Sequence, residues 1–141
     1  MGALEEDAAL WSALRRGPRW RFAAPVAGML VLEWLLVRPL PMRLAGGDDK
    51  LAHAAAFGVL AALWWWALGG WSGSWRRPFG AAVLAAGWGL AGEVQQLFVP
   101  GRSAELLDFV ADLVGAAVAV LAAELWRRVR TRRLRRSAAP A

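Results

Sequence analysis

The sequence predicts an all-α protein, a four-transmembrane-helix bundle with both termini cytoplasmic and a polar pocket near the outer leaflet. Three observations lead there. Hydrophobic residues make up 58% of the 141 residues, and the mean hydropathy of +0.37 is high for a water-soluble domain. Four apolar stretches, each near the roughly 20 residues that a membrane helix needs, are separated by turn-forming loops. Basic residues crowd one side of those stretches. With the N-terminus inside, the cytoplasm receives Arg15, Arg16, Arg19, Arg21, Arg76, Arg77 and the arginines from Arg127 to Arg136, while the outside receives Arg38, Arg43, Lys50 and Arg102.

The length suits one domain. It divides into a cytoplasmic or interfacial segment (1–21), the transmembrane bundle (22–126) and a basic cytoplasmic tail (127–141). Residues 1–21 place Leu4, Ala8, Trp11 and Leu14 at helical spacing, as a helix lying on the membrane surface would, or a frayed terminus. Glu6 stands where a myristoylation signal needs Ser or Thr, which excludes that modification. Arg15 and Arg16 precede an apolar stretch as in a twin-arginine signal. With no small-residue cleavage site evident and further spans to follow, the stretch reads as a signal anchor.

The first span is expected over Phe22–Leu40 and carries Glu33; Pro39 and Pro41 stop it. The loop LAGGDD leads to the second span, Lys50–Leu68, with Trp64, Trp65 and Trp66 near its far end. Ten Trp and no Tyr suit interfacial anchoring. The turn-like GGWSGSWRRP precedes the third span, Phe79–Val99. The fourth is expected over Glu105–Trp126, after which the chain becomes RRVRTRRLRR.

The stretch from Gly92 to Gly115, GEVQQLFVPGRSAELLDFVADLVG, joins the last two spans and holds Glu93, Gln96, Arg102, Asp108 and Asp112. Ionisable groups inside apolar spans are expensive and usually mark function. At about 1.5 Å per residue, His53 lies roughly 6 Å below its helix end, Glu93 roughly 9 Å, Glu33 roughly 10 Å and Asp112 roughly 15 Å. All belong to the outer half of the bilayer. Helical spacing puts Asp49 with His53, Gly89 with Glu93 and Gln96, and Asp108 with Asp112, Gly115, Ala119 and Ala122. Small residues beside the acids let the helices approach closely.

Plainer roles stand beside these. Asp49 can serve only as a helix cap. Lys50 and Arg102 can snorkel to the interface, His53 can be a hydrogen-bonded core residue, and Glu33 can pair with a basic neighbour. Glu93 and Asp112 are hardest to dismiss, because an unpaired charge at their depth costs a few kcal/mol. No Gly-rich phosphate loop, G-x-S-x-G or H-E-x-x-H occurs, and with no Cys there are neither disulfides nor thiolate metal sites. The net charge of +6 sits beside the spans. It fits anionic headgroups rather than nucleic acid.

Asp49, Lys50 and His53 form D-K-x-x-H. Glu93, Gln96, Phe98, Pro100, Gly101, Arg102, Asp108 and Gly115 fit E-x-x-Q-x-F-x-P-G-R with a spaced Asp and Gly. Together they resemble the VanZ-like family of bacterial membrane proteins over about residues 28–125. Two departures stand out. Asp112 replaces the Asn usual in the family, and Ala54 follows the His where an aromatic is common, which is expected to loosen packing there. The resemblance implies a multi-pass protein of the bacterial cytoplasmic (inner) membrane. The namesake is associated with resistance to the glycopeptide teicoplanin.

Three functional readings follow. The first is binding or handling of a cell-envelope lipid or glycan precursor, with Lys50 and Arg102 holding an anion and Asp49, Gln96 and Asp108 completing the pocket. The second is a membrane-embedded hydrolase or transferase in which His53, Glu93 and Asp112 are catalytic. The third is a structural subunit of an envelope assembly. The acids Glu33, Asp49, Glu93, Asp108 and Asp112 outnumber Lys50, Arg102 and His53. That surplus predicts protonated acids or a bound divalent cation, with no other cofactor. The expected partners are membrane lipids and a lipid-linked envelope precursor, and not nucleic acid.

Overall fold

The computed structural model describes residues 19–37, 47–69, 75–99 and 105–137. A 3-10 turn at Arg19–Phe22 leads into α1 (Ala23–Val37), followed by α2 (Gly47–Ala67), α3 (Arg76–Gln96) and α4 (Leu106–Ser137). Among the described residues the secondary structure is entirely helical. The surface helix expected before Arg15, and the loop holding Arg102, lie outside the described residues.

Each helix starts and stops for local reasons. Pro25 and Pro78 fall in the first turns of α1 and α3, where a missing N–H costs nothing. Asp48 and Asp49 occupy the first turn of α2, and Asp108 that of α4, where the helix dipole favours an anion. Beyond Gln96 the chain tightens: Leu97, Phe98 and Val99 donate to the carbonyls of Val94, Gln95 and Gln96, which satisfies the last carbonyls of α3.

The fourth helix continues beyond the expected span. It does not end at Trp126 but runs on to Ser137. Arginine is a good helix former, so a solvated basic run continues the helix when nothing stops it. Thr131 Oγ1 and Ser137 Oγ bond back to carbonyls in the preceding turn. At about 1.5 Å per residue the whole helix is roughly 48 Å long. It is the one described helix long and apolar enough to cross a membrane, judged by length and composition.

Helix α2 is the hub. It packs most extensively on α4, then on α3, and also holds α1. Phe57, Leu60, Ala61, Trp65 and Leu68 of the α2 segment meet Ala81 and Ala85 of α3 and Ala116 and Val120 of α4. The α2–α4 crossing is backbone to backbone. A Cβ on Gly115 would fall on the Ala54 carbonyl, and one on Gly58 would sit 3.2 Å from the Gly115 carbonyl oxygen. The Ala54 backbone therefore lies directly against Gly115 where the two helices cross.

Outward, the bundle is apolar. Leu30, Val31, Val59, Val83, Leu90, Val94, Val118, Leu121 and Leu125 are all exposed. Inward, it buries Glu93, Gln96, Asp108, Asp112 and Glu124. Water-soluble proteins rarely show so continuous an apolar surface.

Candidate functional site

Three helix ends bring the polar residues together: the start of α2, the end of α3 and the start of α4. Asp112, on the second turn of α4, is 1% exposed. Its Oδ1 lies 2.9 Å from His53 Nδ1. When Nδ1 carries the proton and donates to Asp112, Nε2 is left as a base or ligand, since the partner of one ring nitrogen sets the state of the other. The His53 ring also lies parallel to Phe57, one turn on, with centres 6.5 Å apart. His53 is thus fixed in plane and in direction.

Glu93, on the last turns of α3, accepts the Glu105 backbone N–H at its Oε2, 2.9 Å away. This contact ties the end of α3 to the start of α4 and satisfies one of the donors that every helix N-terminus leaves open. Lys50 reaches across from α2. Its Nζ is 2.7 Å from Asp108 Oδ1 and 3.4 Å from Glu105 Oε2. Asp108 is buried while Lys50 is one-third exposed, so the pair sits at the mouth of the site with the acid on the inner side.

Two overlapping groups have the spacing of metal ligands: Asp49, His53 and Asp108, and His53, Glu93 and Asp112. In each group, one ligand atom per residue lies within 4.8 Å of the others. A nitrogen and two carboxylates suit a divalent cation of borderline hardness. The acids Asp49, Glu93, Glu105, Asp108 and Asp112 outnumber Lys50 and His53 here.

Of the predicted site residues, Asp49, Lys50, His53, Glu93, Asp108 and Asp112 converge. Gln96 is buried on the same face of α3, one turn past Glu93. Arg102 lies outside the described residues. Glu33 is half-buried on α1 and is not among the acids around His53. The stripe expected on α4 is corrected in one position. The buried residues run Asp108, Asp112, Ala116, Val120 and Glu124, and Ala122 faces outward.

Sequence reasoning missed two acids. Glu105 looked like the mere start of a span, yet its backbone holds Glu93 and its side chain meets Lys50. Glu124 is buried farther along α4, just before its basic run, and is bound by Arg127 and Arg128. The spacing Glu124, Arg127, Arg128 was the available signal, because residues three and four apart meet on a helix.

A family model described as VanZ/LLP1 matches residues 19–127, more than half of the chain. The match includes all four helix segments through the end of the apolar part of α4, and every residue of the site. No curated protein and no solved structure matches.

Proposed function

The chain belongs to the VanZ/LLP1 family, and we propose that it is a multi-pass protein of the bacterial inner membrane. In this reading it binds or handles a lipid-linked or glycan precursor of the cell envelope at a polar pocket near the outer leaflet. One observation carries the reading: Glu93, Asp108 and Asp112 are buried acceptors on two helices, gathered beside His53 and Lys50 of a third. Sugar hydroxyls and amide N–H groups are donors, and a site rich in carboxylates is complementary to them. A phosphate would be repelled by the same acids unless a divalent cation bridged it. His53, Glu93 and Asp112 are the residues that would hold that cation, with Lys50 and Arg102 closing on the phosphate.

The arrangement in the membrane follows the arginine distribution, which puts the start of α2 outside and the end of α4 inside. The outward apolar residues then face acyl chains, and the buried acids face each other.

The test is lipid co-purification read by mass spectrometry, together with metal analysis of the same sample. The expected result is an enriched polyprenyl or glycolipid species that Glu93→Gln and Arg102→Ala lose, and a divalent cation that His53→Ala loses. A protein that carries no lipid above the bulk composition and no metal, and whose site variants all fail to fold, would leave the cluster as a structural lock and sink the reading.

The contact between His53 Nδ1 and Asp112 Oδ1 favours a second reading, a membrane-embedded hydrolase or transferase. His53 Nε2 would take the proton of an attacking hydroxyl or water, and the same nitrogen would return it to the leaving oxygen. Asp112 would hold the ring and stabilise the imidazolium. Turnover gives a lipid product of changed mass that disappears in His53→Gln. Binding alone leaves the mass unchanged.

A further inference from the structure

At the end of the bundle opposite His53, the guanidiniums of Arg21 and Arg77 approach one corner. Arg77, in the first turn of α3, is half-buried. Its Nε donates to the Trp65 carbonyl at 2.7 Å, and its guanidinium lies over the Trp65 indole, 3.6 Å from the ring centre. Gly69, just past the end of α2, faces the same corner. A Cβ there would meet Arg77 Nη2 at 3.4 Å and Arg21 Nη1 at 3.7 Å, so both guanidiniums approach one point. The Arg77 guanidinium is lowered to about 10, by burial first and then by Arg127 and Arg21, with Glu124 opposing them. Glu124 is already committed to Arg127 and Arg128. The Nε1 atoms of Trp64 and Trp65, at this same end, are buried without an acceptor among the described residues.

A helix C-terminus attracts one cation, and the Trp65 carbonyl with its ring accounts for Arg77 in that way. Glu124 accounts for Arg127, but neither contact explains why Arg21 is drawn in beside Arg77, since like charges raise the cost of holding each other. Among the described residues, neither Arg21 nor Arg77 is bonded to a carboxylate.

We propose that Arg21 and Arg77 form a site for the phosphate of an anionic phospholipid headgroup. A lipid is the source because Trp20, Trp66, Trp75 and Trp126, all exposed, surround the same end, and indoles prefer the headgroup level. Basic pockets between membrane helices take such headgroups. The site shares no residue with the His53 cluster, so it stands or falls separately from the reading above.

The test is native mass spectrometry of the full chain in neutral detergent, titrated with phosphatidylglycerol, with phosphatidylcholine of equal chain length, and with inorganic phosphate. Phosphatidylglycerol should bind in preference to phosphatidylcholine. Arg21→Gln should weaken it about fivefold, the worth of one arginine near an anionic headgroup. Arg77→Lys keeps the charge but loses the planar fork, and should also weaken binding. If Arg77→Lys fails to fold, Arg21→Gln decides alone, because Arg21 is on the peripheral turn before α1. Equal retention of the two lipids, wild-type binding by the folded variants, or inorganic phosphate binding as tightly as the lipid would each overturn the proposal.

Discussion

Asp112 gives one oxygen to His53 and leaves the other beside Gly89, where a Cβ would come within 2.9 Å of it. That glycine makes room for the carboxylate. In Gly89→Ala the methyl would also stand 3.2 Å from Phe57, and neither neighbour can retreat, since both are buried. Overpacking of this kind costs about 1–3 kcal/mol. Thermal unfolding in detergent should show the loss, with Gly87→Ala as the control, because nothing lies within 4 Å of a Cβ at Gly87. Asp112→Asn removes the charge and keeps the shape. The amide oxygen still accepts from His53, so folding should survive, while the divalent cation expected at His53, Glu93 and Asp112 should be held more weakly. A fall in any measured turnover by about a hundredfold or more would favour the enzyme reading instead. The meeting of His53 with Glu93 and Asp112 was legible in the sequence, because ionisable side chains on apolar helices have to find one another. The role of Glu105 was not, since its main contribution is a backbone N–H, and the sequence does not mark which N–H a distant carboxylate will take.

Helices α2 and α4 meet through Ala54 and Gly58 on one side and Gly115 and Ala119 on the other. Each pair is four residues apart, the small-xxx-small spacing that lets membrane helices touch along their backbones. Gly115→Ala would drive a methyl into the Ala54 carbonyl, and a backbone carbonyl cannot swing aside as a side chain can. The cost should reach or exceed the upper end of about 1–3 kcal/mol. Gly58→Ala meets its neighbour at 3.2 Å and should cost less. Unfolding midpoints of the two variants check the order; a Gly115→Ala protein as stable as Gly58→Ala would contradict the crossing. The small residues were visible in the sequence, but the full stripe was not. Mixing steps of three and four placed Ala122 inside, whereas the buried residues keep strictly to steps of four. The expected bound at Trp126 was that of a span, and the helix runs past it. A run of arginines looks like the end of a span, but it is no signal for the end of a helix.

The molecule as a whole has polar groups at both ends of its core and an apolar middle. Along α4 alone the buried stripe reads Asp108, Asp112, Ala116, Val120, Glu124. Acids near one end face His53 and Lys50, and the acid at the other faces arginines. Such a stripe fits a helix whose apolar part runs between two headgroup layers, with its middle in hydrocarbon, where a buried charge is most costly. The four-span arrangement makes a sharper statement: Asp48 and Glu105 face outside, and Arg76 and Ser137 face the cytoplasm. The chain contains no cysteine, so single cysteines can be added without background. In intact cells a membrane-impermeant maleimide should label Asp48→Cys, and should label Ser137→Cys only after permeabilisation. Labelling of both from the same side would place the start of α2 and the end of α4 in one compartment. The chain would then cross an even number of times between them instead of three, and if Asp48→Cys too needed permeabilisation, the site around His53 would lose its assignment to the outer leaflet.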